Sequence, residues 1–136
     1  MEQGKLVAAV TVVGKAGAPK YVQQIQSGRH ALLADEHAAL GGADAGPGPF
    51  AYVLSGLGAC TSITLRMYAE RKGWELGAVT VRLRFLREEA GIRIEREVAF
   101  DGALSAEQRE RLAEICEKTP VTLALKGGIP IATTLA

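Results

Sequence analysis

Residues 49–65 read Pro49-Phe50-Ala51-Tyr52-Val53-Leu54-Ser55-Gly56-Leu57-Gly58-Ala59-Cys60-Thr61-Ser62-Ile63-Thr64-Leu65, without one charged side chain, and Arg66-Met67-Tyr68-Ala69-Glu70-Arg71-Lys72 follow at once. The stretch reads as one long helix. Gly46-Pro47-Gly48-Pro49 marks its start, because a proline in the first turn lacks only an N–H that would have no partner there. Gly73 marks its stop, after cations that suit the negative end of the helix dipole. At 1.5 Å per residue the helix is about 36 Å long, enough to cross a small domain. With no polar face before Arg66, it is expected to be buried on every side. Gly56 and Gly58 weaken a helix, so a neighbouring backbone is expected to pack closely there. The stretch is at the short limit for a membrane span and rich in Ser, Thr and Gly, which argues for a protein core instead. Cys60 lies near its middle.

The 136 residues fit one domain, 1–136, able to bury a sizeable core. Sixteen Lys and Arg against fifteen Asp and Glu give a formal charge of +1, with no long basic run and few aromatic residues. That balance argues against nucleic acid and against a membrane surface as partners. The first residues, Met1 to Val10, pass straight into a strand-like pattern without the features of a secretory signal, so a cytoplasmic location is expected. Cys60 and Cys116, 56 positions apart, read as two buried thiols or a redox pair rather than a structural disulfide. His30 and His37 have no obvious ligand partners and no paired Cys spacing accompanies them, so no zinc site is expected.

Along the chain, Leu6 to Val13, Tyr21 to Gln26 and Ala31 to Ala34 read as strands of an antiparallel meander. Asp35 to Gly48 is a glycine-rich loop expected to lie over the first turns of the long helix, either as a functional loop or as a plain connector. Ala78 to Arg87 and Ile92 to Phe100 form a hairpin with one apolar face and one face of arginine and glutamate. Ser105-Ala106-Glu107-Gln108 is a capping box that opens a second helix running to about Lys118, before Pro120. Leu112, Ile115, Cys116 and Thr119 share one stripe of it, which turns Cys116 towards the core. The chain closes with Val121 to Leu125, a Gly127-Gly128 break and a last strand, Ile129 to Leu135, read as an edge strand because it carries Pro130. The order of elements is that of an α+β domain with antiparallel sheet packed on a long central helix. One small sheet cannot cover every side of that helix, so a second subunit is expected to complete the burial.

Asp35-Glu36, Gly41-Gly42, Gly46-Pro47-Gly48-Pro49, Leu57-Gly58-Ala59-Cys60-Thr61 and Lys118-Thr119-Pro120-Val121 together resemble the OsmC/Ohr family, the osmotically inducible and organic-hydroperoxide-resistance proteins, and most closely its OsmC-like branch. The resemblance spans essentially the whole chain. It implies an intertwined homodimer whose central helices pack together, and a thiol-dependent reductase of organic hydroperoxides, active in oxidative-stress defence, that needs no metal or flavin cofactor. On that likeness Cys60 is the attacking cysteine, Arg29 in Ser27-Gly28-Arg29-His30 holds its thiolate, and a second cysteine closes a disulfide that a dithiol reductant reopens. Family members place that second cysteine directly before the proline. Here Thr119 stands there, and Cys116, one turn earlier on the same stripe, is the remaining candidate. The family's glutamate early in the central helix is replaced by Phe50 and Ala51, leaving Asp35 or Glu36 of the preceding loop as substitutes. The alternative is a non-catalytic dimer of the same fold that binds a small apolar ligand at the subunit interface.

The chemistry sets its own demands. A peroxide-reducing thiol must be ionised and reachable, and burial in apolar surroundings opposes ionisation. Cys60 is too far into its helix for the dipole to help. A cation must therefore be brought to it, and a guanidinium can hold both sulfur and peroxide oxygen. Without the family likeness, either cysteine is equally readable as a small core hydrophobe.

Overall fold

The computed structural model describes residues 4–136, and the chain divides into two compact units, Met1–Tyr52 and Val53–Ala136. In the first unit β1 (Thr11–Gly14), β2 (Gln23–Ser27) and β3 (His30–Ala34) form an antiparallel meander in that order. Its first strand is shorter than the expected Leu6 to Val13: only Thr11 to Gly14 find partners on β2, from Thr11 opposite Gln26 to Gly14 opposite Gln23. Leu6 to Val10 have no ladder to join, and isolated extended backbone is not held by itself.

The Asp35 to Gly48 loop is tied to its own unit. The buried Asp35 carboxylate accepts from the backbone amides of Glu36 (2.7 Å), Ala43 (3.1 Å) and Ala45 (3.0 Å). The Asp35 amide donates to Pro47 O at 3.1 Å. Tyr52 then closes the unit, its hydroxyl donating to Leu33 O at 2.5 Å.

The long helix α1 spans Pro49–Lys72. Its end is a complete Schellman motif: Gly73 N donates to Glu70 O and Trp74 N to Ala69 O, with Gly73 at a φ of 71° that a side chain would resist. Within the second unit β4 (Val79–Glu88) and β5 (Gly91–Phe100) form a two-stranded antiparallel hairpin. Its outer face carries cross-strand ion pairs, Arg82 with Glu97 and Arg84 with Glu95. On its inner face Val79 stands opposite Phe100, Val81 opposite Val98, Leu83 opposite Arg96 and Phe85 opposite Ile94. A β-carbon on Gly58 of α1 would come within 2.8 Å of Leu83 Cδ1, so glycine there admits the sheet to the helix.

Helix α2 (Ala106–Cys116) opens with the expected capping box, Ser105 Oγ accepting from Gln108 N and Gln108 Oε1 from Ser105 N. Leu65 and Ala69 of α1, Leu76, and Leu112 and Cys116 of α2 form the buried core, flanked by Tyr68, Trp74, Val79, Val98, Phe100, Leu104 and Ile115. Cys116 faces the core as its stripe implies.

The last segment departs from expectation. Pro120–Gly127 is a third helix, α3, and residues 129–136 form no strand. Thr119 caps α3, its Oγ1 accepting from Thr122 N, and Pro120 takes the first helical position, where its fixed φ favours a helix. The alternation of Val121, Leu123 and Leu125 is thus the surface of a short helix. Beyond it Ile129 to Leu135 meet no strand edge to pair with.

Helix α1, expected to be buried on every side, is not covered on every side by this chain. Leu57, Gly58, Thr61, Leu65 and Ala69 are buried, whereas Ile63 and Met67 are 54% and 56% exposed. No helix among the described residues is long and apolar enough to cross a membrane.

Candidate functional site

Cys60 and Cys116 are both free thiols, the first half-buried and the second buried. Cys60 sits on α1 where Val53, Gly56, Cys60, Ile63 and Met67 recur at intervals of three and four, and so share one face of the helix. Val53, Ile63 and Met67 on that face are exposed apolar side chains, so the thiol opens onto the uncovered side of α1. Its Sγ lies 3.9 Å from the Thr64 hydroxyl, one turn further on.

Cys116 is placed differently. It ends α2 inside the core cluster, and burial pushes its thiol up, away from ionisation, while the nearby Arg96 charge pulls it down and Glu117 opposes that pull. Glu117 itself is held below the usual carboxylate range by Lys126, then by Arg96, against the cost of its burial.

The residue that joins the two cysteine-bearing segments is Arg96, on the inner face of β5. Its side chain is only 12% exposed. Nη1 donates to Thr61 Oγ1 at 3.0 Å and to Thr122 Oγ1 at 2.9 Å. Nη2 donates to Cys116 O at 2.9 Å and to Glu117 Oε2 at 3.3 Å. Thr61, Thr119 and Thr122 are all buried, and the last two share a hydrogen bond of 2.6 Å between their hydroxyls. Thr61 gives its own hydroxyl hydrogen to Leu57 O at 2.7 Å, which leaves its oxygen free to accept from the guanidinium. Such a charge can stay buried only because each outward N–H meets an oxygen.

Sequence reasoning left Arg96 as one residue of the hairpin strand Ile92 to Phe100, with no role of its own. The signal against that was its register: it alternates in step with Ile94, Val98 and Phe100, on the apolar side of β5. Thr119 was read as part of the second helix's inward stripe and as the occupant of a cysteine's place, whereas it is the buried cap of α3.

Arg29 lies in the tight turn between β2 and β3, exposed, in the first unit, whereas both cysteines belong to the second. Asp35, one proposed stand-in for the family glutamate, already has its carboxylate engaged by loop amides, which hold it below the ordinary carboxylate range. The largest of these effects comes from Ala45, against an opposing cost of burial. His37 pairs loosely with Asp44 at the surface, 3.7 Å away. No group of His, Cys, Asp and Glu side chains among the described residues is arranged to hold a metal ion.

The sequence model of the family described as OsmC-like protein matches residues 41–134. This chain belongs to the OsmC-like family. Solved structures agree on the fold. The OsmC-like protein of Mycoplasma pneumoniae is 20% identical with a TM-score of 0.77, the match covering 91% of this chain and 90% of that one. An organic hydroperoxide resistance protein OsmC of Legionella pneumophila is 19% identical with a TM-score of 0.65, covering 92% and 93%. The organic hydroperoxide resistance protein OhrB of Bacillus subtilis is 22% identical with a TM-score of 0.62, covering 90% and 92%. No curated protein matches the sequence. The mixed fold of antiparallel sheets and a long central helix is therefore that of OsmC-like proteins.

Proposed function

We propose that this OsmC-like protein is a homodimeric, thiol-dependent reductase of organic hydroperoxides, with residues 1–136 acting as one domain and Cys60 as the attacking thiol. The observation that carries the reading is the setting of Cys60. It is a free, half-buried thiol at the middle of the central helix, on a face open to a substrate or a second subunit. Membership of the family supports it, as does the organic hydroperoxide resistance named for the Legionella and Bacillus proteins of the same fold.

In the proposed cycle the Cys60 thiolate attacks the terminal peroxide oxygen. The O–O bond breaks, the alkoxide takes a proton and leaves as the alcohol, and Cys60 becomes a sulfenic acid. Arg29 is proposed to balance the thiolate and the departing oxygen. Cys116 then attacks the sulfenic sulfur, water leaves and a disulfide forms, which protects Cys60 from further oxidation. A dithiol reductant restores both thiols by two exchange steps. The Val53, Ile63 and Met67 face of α1 is the proposed seat of the second copy, because an apolar helix face of this length is normally covered.

The test is consumption of cumene hydroperoxide with dithiothreitol as the reductant. The protein is expected to turn over peroxide, Cys60→Ser to abolish turnover and Arg29→Ala to lower it. Turnover unaffected by Cys60→Ser would overturn the reading and direct attention to ligand binding at the same apolar face.

A further inference from the structure

One guanidinium spans two places that the reading above gives to the reaction. Thr61 is next to Cys60 in the chain, and the Arg96 fork donates to its hydroxyl with one nitrogen and to the carbonyl of Cys116 with the other. The fork is planar and rigid, so the two contacts fix α1 beside Cys60 and the last turn of α2 at a set separation. The remaining donors reach Glu117 and, at the start of α3, Thr122, so the chain that follows Cys116 is held as well. Resting on the proposed thiol cycle, we propose that Arg96 is a positioning residue for its second step. It anchors the Cys116 backbone to the turn of α1 that carries Cys60, and so limits how far the thiol must travel to resolve oxidised Cys60.

The step requires this kind of control. A disulfide forms only when the two Cα atoms come within about 4.4–6.8 Å with the β-carbons turned towards each other. Cys116 is moreover one turn earlier than the position directly before Pro120, which Thr119 fills with a buried hydroxyl of the same network. The displaced cysteine is therefore the one whose backbone the arginine grips. Arg96 also brings its positive charge towards a thiol whose burial opposes ionisation, and the attacking form is the thiolate. The residue touches neither peroxide nor reacting sulfur in this role; it acts through Thr61 and the Cys116 backbone.

The experiment separates the two chemical steps. Reduced full-length protein is mixed with cumene hydroperoxide, and sulfenic acid formation and disulfide closure are followed separately by rapid quenching and intact mass, across a series of pH values. Wild-type protein is expected to close a Cys60–Cys116 disulfide. In Arg96→Met, sulfenic acid formation is expected to keep its wild-type rate while closure slows on the order of tenfold to a hundredfold, the effect of a small misplacement. The pH dependence of closure is expected to move to higher pH, since the charge favouring the thiolate is gone. Arg96→Lys restores the charge without the fork, so the pH profile is expected to recover while closure stays slow. Thr61→Val, close in shape, removes one acceptor only and is expected to slow closure without moving the pH profile, which keeps the test open should Arg96→Met fold poorly. Closure at the wild-type rate and pH dependence in these variants, or equal slowing of both steps, overturns the role of Arg96 while leaving Cys60 as the attacking thiol. A wild-type sulfenic acid that never closes onto Cys116 overturns it too. Absence of any Cys60 oxidation in wild-type protein instead overturns the peroxidase reading itself.

Discussion

Two glycines, two positions apart in α1, are expected to respond in opposite ways to the same methyl group. At Gly58 a β-carbon would lie 2.8 Å from Leu83 Cδ1, where an ordinary carbon contact is about 3.5–4.0 Å. Leu83 must then yield by most of an ångström, and on the hairpin it stands opposite Arg96, whose contacts hold that strand in place. Overpacking of this kind costs about 1–3 kcal/mol, whereas alanine in a helix interior returns about 0.5–1 kcal/mol relative to glycine. Gly58→Ala is expected to destabilise the protein on the order of 1 kcal/mol. At Gly56 the same β-carbon meets nothing within 4 Å of this chain. Gly56→Ala in the isolated chain is expected to gain roughly 0.5–1 kcal/mol from helix propensity alone. The two variants thus differ by about 2 kcal/mol, or roughly 1 M in the midpoint of a urea titration. Unfolding should be followed at several protein concentrations, with light scattering to give the oligomeric state. If a second copy packs against the Val53, Cys60 and Met67 face, the gain at Gly56 turns into a loss at high protein concentration, and that loss fades on dilution as both proteins dissociate to the isolated chain. A Gly58→Ala protein stabilised by as much as propensity alone provides would refute the argument, because the contact with Leu83 would then carry no cost.

Other outcomes follow from single contacts. Leu112, 1% exposed at the centre of the core cluster, is expected to cost about 2–5 kcal/mol when changed to alanine, measured by denaturant unfolding. Ser105→Ala removes the acceptor of the capping box and is expected to cost about 1 kcal/mol, with Ser105→Gly costing less. Asp35 has its folded pKa lowered, so its contribution is present above the unfolded value and is lost as the pH falls through the folded value. Asp35→Asn is expected to flatten the acid side of the stability profile and to speed amide exchange at Ala43 and Ala45, the two distant donors to this carboxylate.

Much of the architecture could be read from local rules. The long helix declared itself by an uncharged run from Pro49 to Leu65, and its two ends fall where proline and, at Gly73, glycine chemistry place them. The capping box at Ser105 and the alternation in Val79 to Phe85 were equally local. What could not be read depended on partners. Val121 to Leu125 was given no element, but a threonine cap followed by proline starts a helix there, and that cap is defined by its hydrogen bond as much as by its residue type. Ile129 to Leu135 has the composition of a strand without an edge to join. At the site, the Cys60 position was legible from the helix that carries it, and the inward turn of Cys116 from its stripe. The Arg96 network was not, because a charged residue on an apolar register is resolved only by knowing that Thr61, Thr122 and the Cys116 carbonyl converge on it.

The central claim is that Cys60 is a peroxide-reducing thiol, and intact mass under non-reducing conditions tests it most directly. The reduced protein is treated with one equivalent of cumene hydroperoxide beside Cys60→Ser and Cys116→Ser. Wild-type protein is expected to lose two hydrogens on closing a disulfide, Cys116→Ser to stop with one added oxygen on Cys60, and Cys60→Ser to remain unchanged. Wild-type thiols that stay reduced in a folded protein would contradict the claim and leave both cysteines as parts of the core.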